Sequence, residues 1–475
     1  MRAIFTGDSK AKKEAYLIAG ILFLFFGVLF SFGPGTYPDT QGYIDMDIAR
    51  EPLYPLFLLF CRVLAGEKSL WFAILLQNVF CGVNVYLLYF YVKRMCFPGT
   101  AVTQGKTGGK LLSTLLLGSL LLPHLVTPLL SSSRMILSNS IISEGLCYPL
   151  YQFFIYQLLK VLWEDEKRIV PAFVLALLLE LTRGQMMTTV LVWMLVSGYR
   201  IWINGKRKLL AAIAAGVVLL FGCRGPLICG YNLLVHGVYA QNTSNNLTIL
   251  TNLLYASDRE NGASIEDPVL QELFYRMYDG MEEREYTYHF AGSSMQEQAV
   301  HQEYTHDYIK FDVVTPVLKE YVRSLPEKER DGTGEGVLID RLAGSYTKVL
   351  IRQNTGVRLK VYAAVVWCGL VRTAAFLRPG INFLTMLVYL VLAVPGFLRL
   401  KKNPRDREGL FLLFAYLIVC ANVFSTGLMI MCLSRYVVYN TSFLYMAALL
   451  VLWKTGREWT EARMEKRKGE SKNGL

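Results

Sequence analysis

Blocks of about 18–22 consecutive apolar residues recur along this chain, each long enough to cross the hydrocarbon core of a bilayer as a helix. That feature leaves few folds open, because backbone polar groups in lipid must be satisfied within helices or closed barrels. Over 475 residues, 53% of them hydrophobic, the pattern predicts an all-α polytopic membrane protein. The first block, 15–33, follows Lys10, Lys12 and Lys13. It is too long for a signal peptide and lacks a small-x-small cleavage site, so it reads as a retained first helix. All nine cysteines lie in or beside apolar blocks, which argues against a disulfide framework or a cysteine-based metal site.

Charge then orders the blocks. The chain carries +12 overall, yet between Asp258 and Lys348 there are 19 acidic and 10 basic residues. The positive excess therefore sits in short loops and a tail beside apolar helices, as the positive-inside rule requires, and nucleic acid is excluded as a partner. Helices are expected at 15–33, 69–92, 111–130, 141–162, 169–182, 186–203 and 209–233. Lys93, Arg94, Lys106 and Lys110, and later Lys206, Arg207 and Lys208, fix cytoplasmic ends. The polar segment 235–354 repeats Phe, Tyr, Leu and Met and so reads as a folded extracytoplasmic domain between helices 7 and 8.

The apolar run 360–377 is long enough to span. Parity assigns it instead to an interfacial helix, 355–380, because the basic RLKKNPRDR loop and the basic tail both fall inside only if this run does not cross. Further helices at 381–398, 410–433 and 437–453 bring the tally to about ten spans, with both termini cytoplasmic in the plasma or inner membrane. The divisions are a membrane module at 1–234 with its first outer loop at 34–68, the domain at 235–354, the interfacial helix, membrane helices at 381–454, and a basic tail at 455–475. No internal repeat suggests the inverted halves of a transporter.

The first outer loop packs Asp39, Tyr43, Asp45, Asp47, Arg50 and Glu51 between two apolar spans. Carboxylates beside a bilayer need a reason, since a charge at mid-membrane costs about 2.5–3.5 kcal/mol. Asp39 follows Pro38 and precedes an expected short helix, 40–49, so its local pattern favours an N-cap. The other reading is a general base for a hydroxyl nucleophile at the outer surface. Asp45 and Asp47 match the D-x-D pattern of metal sites, but two acids two apart on a helix point in different directions.

Outer turns are nearly free of basic residues, yet Arg134, Arg183 and Arg435 each stand in one, Arg224 lies near the outer end of helix 7, and Arg50 lies in the first loop. A lone interfacial Arg snorkels to headgroups; several together suit a lipid-linked phosphate, through planar forks of donors that stay charged. Glu180 precedes Arg183 by three residues, a spacing that allows a pair on one helix face. Glu144 has no near partner except Arg134 across its turn. His124, alone at a helix end, reads as structural.

These stretches resemble the GT-C superfamily of membrane glycosyltransferases, in particular bacterial relatives of protein O-mannosyltransferases that use polyprenyl-phosphate sugars. PDTQGYIDMDIAREPLYPLFLLFCRVLAG is similar to that family's Asp-x-x-x-Tyr stretch, followed by a basic residue and a Pro-x-Tyr-Pro entry to an amphipathic helix. Further echoes are ISEGLCYPLYQFFIYQLL, LELTRGQ, RGPLICGYNLLVHGVY and the Arg-Tyr start of SRYVVYNTSFLYMAALLVL. The resemblance implies juxtamembrane helices in the first outer loop, a catalytic acid there, and inverting transfer from a lipid-phosphate sugar to a hydroxyl acceptor of the cell envelope. By position the catalytic acid is Asp39. The substrate-binding set is Tyr43, Arg50, Arg134, Glu144, Arg183, Arg224, Arg435 and Tyr436. No second acid adjoins Asp39, so a divalent metal cofactor is left open, with Asp45 and Asp47 the weak candidates. A polysaccharide polymerase or ligase, and a lipid or sugar transporter, are the competing readings.

Overall fold

The computed structural model describes residues 9–97, 106–130, 135–327, 334–375 and 379–473. Among these residues the fold is helical, without a strand; one isolated bridge joins Gly35 to Ser140. The membrane-type helices of the first half are α1 (Ser9–Phe32), then α2 (Thr40–Ile44) and α3 (Leu53–Ala65) in the first loop, α4 (Ser69–Cys96), α5 (Lys106–Leu130), α6 (Ser143–Trp163), α7 (Ile169–Thr182), α8 (Thr188–Ile203) and α9 (Leu210–His236). The polar segment is also helical: α10 (Asn245–Tyr255), α11 (Pro268–Glu282), α12 (Met295–Tyr308), α13 (Thr315–Ser324) and α14 (Glu335–Leu350). The chain then continues through α15 (Thr355–Ala374), α16 (Pro379–Lys402), α17 (Arg407–Met429), α18 (Ser434–Val437) and α19 (Thr441–Asn473).

Seven apolar segments of the described residues are long enough to cross a membrane: Glu14–Phe32, Leu53–Cys96, Gly184–Ile203, Arg207–His236, Asn382–Lys402, Arg407–Met429 and Ser434–Thr460. Their outward faces carry large exposed apolar side chains, such as Phe30, Val218 and Phe383, which suit lipid and would be costly in water. The spans expected at 111–130, 141–162 and 169–182 do not reach that standard, each for its own reason. Helix α5 runs from Lys106 to Leu130, but only Gly109–Leu125 of it is described without a break to the side chains. Helix α6 is polar for a span, with Glu144, Gln152 and Gln157, but its neighbours bury most of it, so lipid does not dictate its surface. Helix α7 has 14 residues, about 21 Å at 1.5 Å per residue, against a core of about 30 Å.

Polar side chains inside the bundle hold the first loop in place. Gln77 and Asn78 on α4 are fully buried. Gln77 Nε2 donates to the carbonyls of Ser138 and Ser140, each at 3.1 Å, and Asn78 Nδ2 donates to Asn139 Oδ1 at 2.8 Å. Asn139 Nδ2 in turn donates to the Gly33 carbonyl at 2.9 Å, and Gly35 N–H bonds the Asn139 carbonyl. A helix amide network thus fixes the 137–142 turn, and that turn fixes the loop. Gly145 is required here: a Cβ would stand 2.4 Å from the Ser140 carbonyl.

The segment 235–354 packs around Phe274, Met277, Leu254 and Tyr346, all nearly or fully buried. Its helices carry ordinary start signals. Asp267 caps α11 by accepting from Val269 N–H and Leu270 N–H, and Ser294 with Glu297 forms a capping box on α12. After α12 the chain winds as a π-helix over Ile309–Val314 before α13. Gly334 caps the start of α14. Helix α15 packs between α12 and α17, burying Ala364, Val365 and Cys368, and Arg372 pairs with Glu303 at 2.6 Å.

Candidate functional site

Asp39 occupies the N-cap position of α2, but its backbone is already helical and its side chain makes no cap bond. The cap reading favoured by the local pattern is therefore corrected. Thr40 does the anchoring instead: its hydroxyl accepts from Tyr37 N–H and donates to the Ile141 carbonyl at 2.9 Å. The Asp39 carboxylate is free to meet Arg50, 2.9 Å from Nη2 to Oδ1. The expected helix 40–49 stops at Ile44, because Met46 turns left-handed (φ 58°) and swings Arg50 back over the ring of Tyr43, 4.8 Å from its centroid. Gly42 leaves room for this: a Cβ would meet Arg50 Nε at 3.0 Å.

Glu144, 2% exposed, begins α6 beside that loop. Arg183 Nη1 lies 2.6 Å from Glu144 Oε2, and Arg435 Nε lies 3.7 Å from Oε1. Arg435 also reaches Asp39, 3.9 Å from Nη1 to Oδ2. Ser143 Oγ accepts from Tyr43 Oη at 2.9 Å and from Arg183 Nη1 at 3.1 Å. Both guanidinium groups lie over the ring of Tyr436, at 4.6 and 4.9 Å. The structure thus brings Asp39, Tyr43, Arg50, Glu144, Arg183, Arg435 and Tyr436 together from four distant stretches of chain. The Nε atoms of Arg50 and Arg435 are buried without a hydrogen-bond partner, and such donors suit an added oxyanion.

The pairing expected of Glu180 and Arg183 does not form. Arg183 is the C-cap of α7 with an extended backbone (φ −161°, ψ 125°), so the i,i+3 neighbourhood of a helix does not apply to it. Glu180 is instead fully buried, and neither of its carboxyl oxygens has a hydrogen-bond partner. Arg224 is likewise committed elsewhere, to Glu51 at 2.5 Å. Glu51 stands so close to Gly184 that a Cβ there would be 3.1 Å from Oε1. This second charge group adjoins the first through the chain at Arg50–Glu51 and Arg183–Gly184.

Arg134 lies outside the described residues. Asp45 accepts from Gln41 Nε2 at 2.8 Å and Asp47 from Ala49 N–H at 2.8 Å. Each acid serves its own turn, and among the described residues no three His, Cys, Asp or Glu side chains group to share an ion. The residues present do not fit a divalent metal here. His124 packs edge-on against Phe25 and Tyr148.

Two participants were not legible in the sequence. Asp307 lies in the last turn of α12 and Lys310 in the π-helix that follows; the charge of Asp39 acts on both, that of Arg435 on Asp307 and that of Arg50 on Lys310. Lys310 is nearly buried and donates to Ser244 Oγ at 2.7 Å and Thr248 Oγ1 at 2.9 Å. Asp307 is open to water yet walled by protein. The only hint to either was acidic composition, which does not single out a residue. The two aspartates are pushed apart. Burial alone raises the Asp39 carboxyl, but Arg50 and Arg435 outweigh it and hold it below the ordinary 3.8. Burial raises Asp307 above that value in spite of Lys310 and Arg435, and Asp39 adds to the rise.

No family model matches the chain, and no curated protein or solved structure matches it either.

Proposed function

We propose that this multi-pass protein is a membrane glycosyltransferase of the GT-C type, moving a sugar from a polyprenyl-phosphate donor to a hydroxyl acceptor on the extracytoplasmic face. In this reading the chain crosses the plasma or inner membrane about ten times, with the polar α6 buried among its neighbours, and both termini are cytoplasmic. One observation carries the proposal: three guanidinium groups, Arg50, Arg183 and Arg435, are ion-paired with two carboxylates, Asp39 and Glu144. Apolar spans run on either side of the loop that supplies Asp39 and Arg50. A cationic excess at such helix ends suits a phosphate held at the membrane surface.

The mechanism follows from the positions. Asp39, kept ionised by its arginines, takes the proton of the acceptor hydroxyl as that oxygen bonds the anomeric carbon. The bond from that carbon to the phosphate oxygen breaks, its electron pair stays on the phosphate, and the configuration inverts. Arg435 and Arg183 stabilise the departing charge. Glu144 orients both arginines and is a positioning residue.

The test is donor turnover by the purified protein, read as release of polyprenyl phosphate, together with mass spectrometry of surface polymers in a deletion strain. Loss of a sugar from one polymer, with turnover abolished by Asp39→Asn, is expected. Unchanged polymers and no donor turnover would defeat the proposal.

A further inference from the structure

Two cavities adjoin along α15, away from the Asp39 cluster, and they differ in chemistry. One, of about 360 Å³, is lined by Tyr255, Tyr288, His289, Ser293, Gln298 and Lys360, a size at the lower end of small-molecule sites. Its rings are held from behind. Tyr288 Oη donates to Asp258 Oδ1 at 2.8 Å, His289 Nε2 lies 3.0 Å from the same oxygen, and Asn354 Nδ2 donates to Asp258 Oδ2 at 2.7 Å. The Tyr288 and His289 rings sit 4.1 Å apart. Fixed aromatic faces, with hydroxyl, amide and ammonium groups around them, suit a polyol that offers C–H faces and hydroxyls at once.

The other cavity, of about 320 Å³, is mostly apolar, lined by Ile249, Leu253, Ile351, Leu428 and Met429 with Arg358 and Gln302 among the polar groups. It lies where the apolar helix α17 ends. Asn252 Nδ2 donates to the Met429 carbonyl at 3.0 Å and fastens α10 to that end, while Leu428 is 72% exposed beside it. The two cavities share Val361 as a wall. From Gln298 in the aromatic cavity, α12 runs to Asp307, nine residues on and about 14 Å away along the helix axis. Asp307 stands half a turn round the helix from Gln298 and is coupled electrostatically to Asp39 and Arg435, so the C-terminal end of α12 approaches the Asp39 cluster.

We infer that the paired cavities form an acceptor site for a lipid-linked saccharide, the sugar in the aromatic pocket and the hydrocarbon chain in the groove at the end of α17. The inference rests on the glycosyltransferase reading and names its acceptor class. The shared wall favours one ligand with both parts, because a free sugar leaves the groove unfilled and a plain lipid leaves the polar pocket unfilled.

The test uses the full chain in lipid nanodiscs and two photoactivatable probes: dodecyl β-lactoside with a diazirine in its alkyl chain, and the same diazirine-bearing dodecanol without sugar. The glycoside should label peptides carrying Ile351 and Leu428–Met429 at least about tenfold above the alcohol, one good sugar contact being worth about that factor. Tyr288→Ala and Lys360→Met should each lower that labelling about tenfold with unchanged thermal unfolding; Lys360 is exposed, so its variant keeps the test valid if the tyrosine change disturbs folding. Equal labelling by both probes, or labelling spread over lipid-facing helices such as α16, overturns the inference, as does full labelling of a folded Lys360→Met protein. Capture is read without transfer, so its outcome is separate from that of the enzymatic reading. Selective capture by a protein that turns over no donor would sink the enzymatic reading while leaving the site standing.

Discussion

Asp39 and Glu144 pair with the same set of arginines, and replacing each by its amide separates the reacting group of the proposed mechanism from the positioning one. The Asp39–Arg50 pair is open to solvent, 38% and 29% exposed, so breaking it costs roughly 0–1 kcal/mol. Asp39 caps nothing, and Asn fits the same space, so Asp39→Asn should unfold close to the wild type. Its amide accepts no proton, and transfer should fall by the roughly 10²–10⁴-fold of a lost general base. Glu144 is different, being 2% exposed and set between two guanidinium groups. Removing one partner of a fully buried pair costs about 3–5 kcal/mol. Arg183 and Arg435 keep 17% and 25% exposure, so solvent takes up part of this and the expected loss for Glu144→Gln is roughly 2–3 kcal/mol. Thermal unfolding of purified protein, paired with release of polyprenyl phosphate in proteoliposomes, reads both quantities. A fully active Asp39→Asn protein would refute the mechanism, and an Asp39→Asn protein as destabilised as Glu144→Gln would make Asp39 a structural residue.

The arginines should also divide. Arg435 carries a buried donor without a partner and only long contacts to acids, so Arg435→Gln should raise the donor KM about tenfold or more with little change in stability. Arg224 is held by Glu51 in a mostly buried pair, so Arg224→Gln should show its main effect in thermal unfolding; normal donor KM in both variants would reduce both residues to membrane anchors. The lowered Asp39 pKa fixes a sign with pH: its contribution to stability is present above the ordinary 3.8 and lost as pH falls through its depressed folded value. The raised Asp307 pKa works the other way, its contribution being complete below 3.8 and lost as pH rises through the elevated value. Asp307→Asn should therefore remove a loss of stability above pH 3.8, which unfolding curves from about pH 3 to 7 would detect; identical curves would remove Asp307 from the cluster. Cysteines placed at Ser293 and Ser324, both exposed in the 235–354 domain, should react with an impermeant reagent on intact cells. Protection of both would reverse the proposed topology.

What the sequence disclosed and what it hid follow the cost of placing charge near lipid. Arg50, Glu144, Arg183, Arg224 and Arg435 stood out because each interrupts an apolar stretch or its margin, where an ionised side chain is expensive. The structure gathers four of them about Asp39 and ties the fifth to Glu51. Pairing was not legible, because it depends on backbone at helix ends. Arg183 leaves α7 extended and so meets Glu144 on α6 instead of Glu180 on its own helix. The same holds for the end of α2, where Met46 in the left-handed region redirects Arg50. Asp307 and Lys310 were hidden for the opposite reason: in a polar domain a charge costs little and does not stand out. The π-helix that follows Asp307 and includes Lys310 has no sequence signal comparable to an apolar block.

The polar groups inside the bundle point to where rigidity is needed. Gln77 and Asn78 are amides inside a mostly apolar helix, a place where side chains of similar size without polar atoms would pack at less cost. Their donors reach the Ser138 and Ser140 carbonyls and the Asn139 side chain, and the same turn leads within a few residues to Ser143 and Glu144. Through Asn139 and Gly35 it also holds the segment that ends in Asp39. Both carboxylates of the cluster are thereby referred to one buried network on α4, which fixes the Glu144 end and the Asp39 end relative to each other. A misplacement on the order of 1 Å costs a transfer reaction about a hundredfold. A helix that sets amides at interior positions to pin two acids meets the need for fixed geometry that the proposed transfer would impose.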